Sequence, residues 1–180
     1  MSDIININID SKHVQNAMNR KNGIKSKRTC TNNWEKEDKE FLLNIDNHYN
    51  IIQKMYENND FKSKDNIIKE FKRKLNSYKN QDQKKGRYIK SEFITINELV
   101  NKLKKSDLKC HYCLKKVKLI YENVRDPEQW TLDRLDNNIS HTDSNTVIAD
   151  LRCNLQRRLK DEEKFLCDKQ LKIIMLDTPK

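Results

Sequence analysis

The chain has 180 residues and carries 37 Lys and Arg against 27 Asp and Glu, which gives a formal net charge of +10. Charged residues make up 36% of the sequence and apolar residues 35%, so we expect one compact domain with polar helical or flexible extensions. Only two glycines are present, which argues against folds that bind nucleotides through glycine-rich phosphate loops.

Two further features concern location and partner. No run of about 18 apolar residues occurs, and the first residues lack the cationic start and apolar stretch of a secretory signal. We therefore expect an intracellular protein without a membrane contact. The basic excess favours a polyanionic partner, nucleic acid above all, because each Lys or Arg near a phosphate releases a condensed counterion. The alternative is that these charges only solvate helix surfaces in a sequence rich in Asn, Lys and Ile.

Three segments precede the part of the chain that carries its motifs. Residues 1–33 are polar and have no apolar period, which predicts a flexible basic arm. Residues 34–80 contain two amphipathic stripes and predict a helical hairpin, with helices over 34–58 and 63–79. Residues 81–92 contain one glycine and no apolar period, which predicts a linker.

The rest of the chain predicts a small domain over residues 93–166 and a tail over 167–180. The domain opens with Thr95-Ile96-Asn97-Glu98, a capping box that predicts a helix over 96–106. Strands and a final helix are predicted over 108–112, 117–121, 130–135, 146–148 and 152–165. This order indicates a ββα unit, so the predicted fold class is α+β.

Five cysteines occur at positions 30, 110, 113, 153 and 167, an odd number that argues against a disulfide framework. Cys110-His111-Tyr112-Cys113 is typical of half of a metal-binding knuckle, in which two thiolates face one ion across a tight turn. Cys30 and Cys167 have no partner at ligand spacing, and we expect free thiols there.

A second group of motifs follows: Trp130-Thr131-Leu132-Asp133-Arg134-Leu135-Asp136-Asn137, Ser140-His141, Asn145-Thr146-Val147 and Leu151-Arg152-Cys153-Asn154. With the cysteine pair, their order resembles the HNH, or ββα-metal (His-Me finger), endonucleases, especially zinc-knuckle forms similar to recombination endonuclease VII and to nucleases of phages and large DNA viruses. The resemblance covers residues 93–160. It implies a DNA endonuclease that uses Mg²⁺ or Mn²⁺, and, for a viral source, a place in the host cytoplasm, the nucleus or the virion.

The chemistry of phosphodiester hydrolysis gives four of these residues candidate roles. Asp133 and Asn154 could each offer an oxygen to Mg²⁺, which prefers hard ligands. His141 could act as the base, and Arg134 could hold phosphate oxygens but cannot take up a proton. The alternatives are an ordinary surface ion pair between Asp133 and Arg134, and a helix-capping role for Asn154. Asn145 is expected to fix a turn.

The sequence departs from the family pattern at two positions. Arg134 stands where a histidine base directly follows the aspartate in endonuclease VII-like forms, so either His141 substitutes as base or the site is slow or inactive. Asp150 stands where the pattern has cysteine, which leaves a Cys₃Asp set as the predicted structural zinc site. Its members are Cys110, Cys113, Asp150 and Cys153. Alternative fourth ligands are His111, His141 and Cys167, and the cysteines could also be buried without a metal.

Four basic residues near these motifs are candidates for DNA contacts. Lys115 and Lys116 belong to the knuckle, and Arg157 and Arg158 follow Asn154 by one helical turn, where they would face flanking phosphates. The rival interpretation is a zinc-stabilised DNA-binding or virion structural protein with an inactive site. A third is a helical interaction protein whose cysteines are incidental.

Overall fold

The computed structural model describes Gly23 and residues 26–31 and 34–171. These residues form six α-helices and one two-stranded antiparallel sheet, an α+β architecture as predicted. In chain order the elements are α1 Lys36–Leu43, α2 His48–Tyr56, α3 Lys64–Lys84, α4 Ile96–Lys105, β1 Trp130–Arg134, β2 Thr146–Asp150, α5 Leu151–Arg157 and α6 Glu162–Gln170. Within this described part, no helix is both long and apolar enough to cross a membrane.

The helical hairpin predicted over residues 34–80 differs from the observed helices at both ends. Its first helix is broken after Leu43, because Asn44 is extended and its side chain accepts a hydrogen bond from the Asp46 amide, which starts a separate 3₁₀ turn. Its second helix, α3, continues to Lys84. Residues 81–84, predicted as the start of a linker, are therefore helical.

The predicted basic arm ends in a packed segment. Lys27 forms an isolated bridge with Asn123, and Arg28 is buried. The Arg28 guanidinium pairs with Glu70, donates to the Tyr121 carbonyl at 2.8 Å and lies 4.2 Å from the centre of the Tyr121 ring. These long-range contacts fix residues 26–31, whereas residues 1–22, 24–25 and 32–33 lie outside the described part of the chain.

Helix α4 is confirmed together with its capping box. The Thr95 hydroxyl accepts from the Glu98 amide at 3.3 Å, and the Glu98 carboxylate accepts from the Thr95 amide at 2.7 Å. Ile94 and Leu99, which flank the cap, are both buried. The helix ends at Lys105, one residue before the predicted end.

The ββα unit consists of β1, β2 and α5. The two strands pair antiparallel, with Trp130 opposite Asp150 and Asp133 opposite Val147, and α5 follows β2 without a loop. The strands predicted over 108–112 and 117–121 are reduced to the isolated bridges Lys109–Lys116 and Lys118–Gln129. Leu108 takes a positive φ of 51°, which is incompatible with extended backbone at the start of the first segment.

The helix predicted over 152–165 is divided. α5 ends at Arg157, Arg158 takes a positive φ of 51°, and the Asp161 side chain then caps α6 by accepting from the Lys164 amide at 3.0 Å. α6 runs to Gln170, beyond the predicted domain end at 166. Of the apolar segment 171–176, only Leu171 lies within the described residues.

One hydrophobic core joins the N-terminal helices to the ββα unit. Phe71 of α3 packs edge-on against Trp130 of β1, with ring centres 5.6 Å apart. Ile52 of α2 and Leu99 of α4 belong to the same buried cluster. The helices before residue 93 are therefore placed directly against the sheet that carries the motifs.

Candidate metal centre and adjoining cavity

Four predicted ligands come together at one end of the ββα unit. The sulfur and carboxylate atoms of Cys110, Cys113, Asp150 and Cys153 all lie within 4.8 Å of one another. The two knuckle cysteines flank a turn closed by the Leu114 amide, which donates to the Cys110 carbonyl at 2.9 Å. Asp150 ends β2, and Cys153 lies in the first turn of α5.

The chemistry of this set suits a tetrahedral ion. Sulfurs bound to one zinc at about 2.3 Å lie about 3.8 Å apart, so ligand atoms within 4.8 Å need only small movements to reach that geometry. Asp150 has two roles, since one oxygen caps the Cys153 amide at 2.6 Å and the other accepts from the Cys113 thiol at 3.1 Å. The cluster could hold a metal ion such as zinc.

The alternative fourth ligands have other environments. His111 pairs with Glu162 at 2.5 Å, His141 contacts Asp82, and Cys167 is exposed. None of the three belongs to the cluster formed by the described residues. Burial raises the pKa of the Cys113 and Cys153 thiols, so metal binding there would release protons and weaken at low pH.

The four residues predicted to be catalytic line one cavity. This cavity has a volume of about 700 Å³ and is bounded by side chains of α3, β1 and α5. Further side chains in its wall are the guanidinium groups of Arg73, Arg125 and Arg158 and the amine of Lys74, whose pKa is lowered by burial. The predicted catalytic residues on the same wall are Asp133, Arg134, His141 and Asn154.

Asp133 is buried and has strong partners. Its Oδ2 accepts from Arg157 Nε at 2.6 Å and from the Tyr112 hydroxyl at 2.7 Å, and its Oδ1 accepts from Arg157 Nη2 at 3.1 Å. The bidentate partner is thus Arg157, and the alternative of a surface pair between Asp133 and Arg134 is wrong. Burial and the neighbouring carboxylate raise the pKa of Tyr112, so its hydroxyl remains a donor.

Arg157 was predicted to contact DNA, but its side chain is buried. The residue is only 1% exposed, and its guanidinium also donates to the carbonyls of Arg134 and Lys160. Arg157 follows Asn154 on α5 as predicted, but its side chain turns inward because the buried Asp133 carboxylate needs a partner. Arg158 is exposed and lines the cavity, whereas Lys115 and Lys116 are exposed on the knuckle and do not line it.

Asn154 is held against β1. Its Nδ2 donates to the Thr131 hydroxyl at 3.0 Å and makes a long contact of 3.5 Å with the Leu132 carbonyl. The helix cap of α5 is Asp150, so the capping alternative for Asn154 is wrong. Asn145 has the predicted structural role, because its side chain bonds to the backbone of Asp136 at 2.9 Å.

His141 is 3% exposed, and two residues of α3 contact its ring. Its Nδ1 lies 2.8 Å from Asp82 Oδ2, and its ring stacks on Tyr78 with centres 4.7 Å apart. Burial lowers the pKa of His141 despite the nearby carboxylate, so the imidazole is neutral at neutral pH. Among the described residues, Nε2 has no hydrogen-bond partner.

The sequence analysis missed Asp82. This carboxylate is 0% exposed and accepts five hydrogen bonds, from Arg87, Arg134, Ser140 and both the amide and the ring of His141. The signal was present in the sequence: Asp82 continues the inward stripe of α3, four residues after Tyr78. An acidic residue on an apolar stripe predicts a buried polar partner from elsewhere in the chain.

The ion pair between Asp133 and Arg157 makes a direct prediction about stability. Arg157→Met should lower the free energy of unfolding by about 3 to 5 kcal/mol, because it leaves a buried carboxylate without its cation. Arg158→Met, an adjacent exposed arginine on the same segment, should change it by less than about 0.5 kcal/mol. Chemical denaturation of both variants measures the difference. Equal stabilities would contradict the described pairing.

Comparison with known proteins adds no relationship. The sequence matches no protein-family model, and no similar protein was found among curated sequences or solved structures. The function of the protein must therefore be inferred from its own residues and their geometry.

Proposed function

We propose that the protein is a metal-dependent endonuclease that hydrolyses phosphodiester bonds of DNA. The observation that carries the proposal is the position of the His141 imidazole, which is held through Nδ1 by Asp82 in the wall of a cavity that it shares with Asp133 and Asn154. A neutral imidazole fixed through Nδ1 has Nε2 available as a proton acceptor, which is the chemistry required to activate water.

The wall of the cavity supports an anionic substrate. Arg125 and Arg158 are exposed there, and Arg73 is about half exposed. Guanidinium groups hold phosphate oxygens with two parallel hydrogen bonds, so they would position a DNA backbone without reading its sequence. Arg134 lies deeper and is paired with Asp82, so its role would be to place positive charge beside the scissile phosphate.

A catalytic Mg²⁺ or Mn²⁺ would be held by Asp133 and Asn154 and would neutralise charge on the phosphate. The donor set suits such an ion only in part. Carboxylate and amide oxygens are hard ligands, but both oxygens of Asp133 already accept hydrogen bonds from Arg157 or Tyr112. Metal binding at Asp133 would therefore compete with a bidentate ion pair.

Hydrolysis is tested with purified protein and supercoiled or branched DNA, with Mg²⁺, with Mn²⁺ or with no added divalent ion. A chelator is avoided because it would also strip the cysteine cluster. We expect metal-dependent nicking, and we expect His141→Gln to lower its rate by about 10²- to 10⁴-fold through loss of the base. His111→Gln, which changes a histidine outside the cavity, should keep the rate. Absence of cleavage on every substrate would contradict the endonuclease function.

We also propose that the Cys₃Asp cluster binds a structural zinc ion. Three thiols and a helix-capping carboxylate complete four-coordination, so a bound ion would have no open coordination position for a substrate. A ββα unit with only two short strands has little core of its own, so a metal would stabilise it.

Zinc content distinguishes ligand from bystander cysteines. Wild type and Cys167→Ser should each hold about one zinc per chain, whereas Cys113→Ser should hold much less. Removing the metal should lower the free energy of unfolding by about 4 kcal/mol, if free zinc exceeds its dissociation constant by about 1,000-fold. Elemental analysis and thermal unfolding measure both quantities. Stable wild-type protein without metal would rule out this role.

One observation favours a second candidate function, a zinc-stabilised DNA-binding or virion structural protein with an inactive site. Asp133 forms an ion pair with Arg157, so its carboxylate is less available to bind a catalytic metal, as expected of an inactive site. In that case the protein would bind DNA with an affinity that falls steeply with salt, and no divalent ion would produce cleavage.

A further inference from the structure

We infer that Asp82, supplied by helix α3, is a positioning residue that orients His141 and fixes which ring nitrogen carries the proton. This inference rests on the proposed role of His141 as the base. Asp82 lies outside residues 93–160, where the family resemblance is found, so the inference adds a part of the N-terminal helices to the site.

A single carboxylate oxygen of Asp82 binds both the backbone and the ring of His141. Oδ2 of Asp82 is 2.8 Å from the His141 amide nitrogen, 2.8 Å from its ring Nδ1 and 3.0 Å from the Ser140 hydroxyl. Backbone and ring of one histidine are thus held by the same atom. An ionised carboxylate can only accept hydrogen bonds, so Nδ1 must carry the proton and Nε2 must have the free electron pair.

The groups around Asp82 keep its carboxylate ionised. Its other oxygen accepts from Arg87 Nε at 3.0 Å and from Arg134 Nη1 at 3.2 Å. Burial alone would raise the pKa of Asp82, but the hydrogen bonds from His141 and Ser140 hold that pKa below its ordinary value. The carboxylate therefore remains an acceptor throughout the neutral range.

Helix α3 contacts the His141 ring on two sides. Tyr78, one turn before Asp82 on the same helix, stacks on the imidazole at an interplanar angle of 27°. In-plane contact with Asp82 and face contact with Tyr78 together leave the ring one orientation. The same helix is anchored by Phe71 in the core, so the orientation is set by the fold and not by the loop that carries His141.

The charged groups around His141 determine the sign of the pH effect. They are Asp82 on α3, Arg134 on β1 and Arg87 after α3, with Tyr78 as the neutral ring neighbour. Burial lowers the pKa of His141 most, the Asp82 carboxylate raises it, and the two arginines lower it further. Replacing Asp82 by asparagine removes the only opposing charge in this set, so the imidazole should lose its proton at still lower pH.

The test is Asp82→Asn in the full-length protein. We expect kcat for DNA cleavage to fall by about 10²-fold or more, because the tautomer is no longer fixed, while KM changes by less than about threefold. The acid limb of the pH profile should move to lower pH, a shift that a general loss of structure would not produce. Asp65→Asn, the same change at an exposed position of α3, should leave rate and profile unaltered.

Two further readouts keep the inference separate from the endonuclease proposal and from folding. Asp82→Glu, which keeps the charge, should recover part of the rate lost in Asp82→Asn. In wild-type protein, imidazole ¹⁵N chemical shifts should show one tautomer of His141 with the proton on Nδ1, whether or not DNA is cleaved. A proton on Nε2, a mixture of tautomers, or Asp82→Asn with the wild-type rate and acid limb would overturn the inference.

Discussion

Burying a carboxylate is the constraint on which this structure depends. An ionised group removed from water costs several kcal/mol unless cations and donors replace its hydration. Asp82, Asp133 and Asp150 are all buried, and each has recruited partners from other elements. Asp82 binds the His141 loop to α3, Asp133 binds β1 to α5 through Arg157, and Asp150 joins β2 to α5 and to the knuckle. The cavity and the cysteine cluster exist where these three carboxylates meet their partners.

The same constraint places Asp133 between two roles. A carboxylate that is bound by a guanidinium and a phenol is well stabilised in the fold, yet its oxygens are less available to a cation. Asp82 is different, because its partners include the imidazole of His141, the proposed base. The partners of Asp133 thus hold the fold together, whereas one partner of Asp82 is the imidazole that we propose as the base. The sequence motifs did not indicate Asp82.

The sequence predicted those features that are local. The capping box placed the end of α4 to within one residue, and the apolar pattern predicted β1 and β2. The ligand cluster is not local, since Asp150 lies 37 residues after Cys113, and its four members were implied by the family resemblance. Other features that require contacts across the chain were missed. The inward turn of Arg157 and the packing of residues 26–31 depend on partners that are 24 to 95 residues away. The break at Asn44 was missed for another reason, because its side chain forms a local turn that competes with the helix. Asp82 was within reach, since its stripe position was visible, but its partner was not.

The edge-on contact between Phe71 and Trp130 has a consequence for anyone who wishes to move this site into another protein. The motif-bearing segment alone would carry Trp130 without its aromatic neighbour and His141 without its carboxylate. The smallest portable module therefore includes the packed segment 26–31 and the helices that follow it, because a graft of residues 93–160 alone would lack both Phe71 and Asp82.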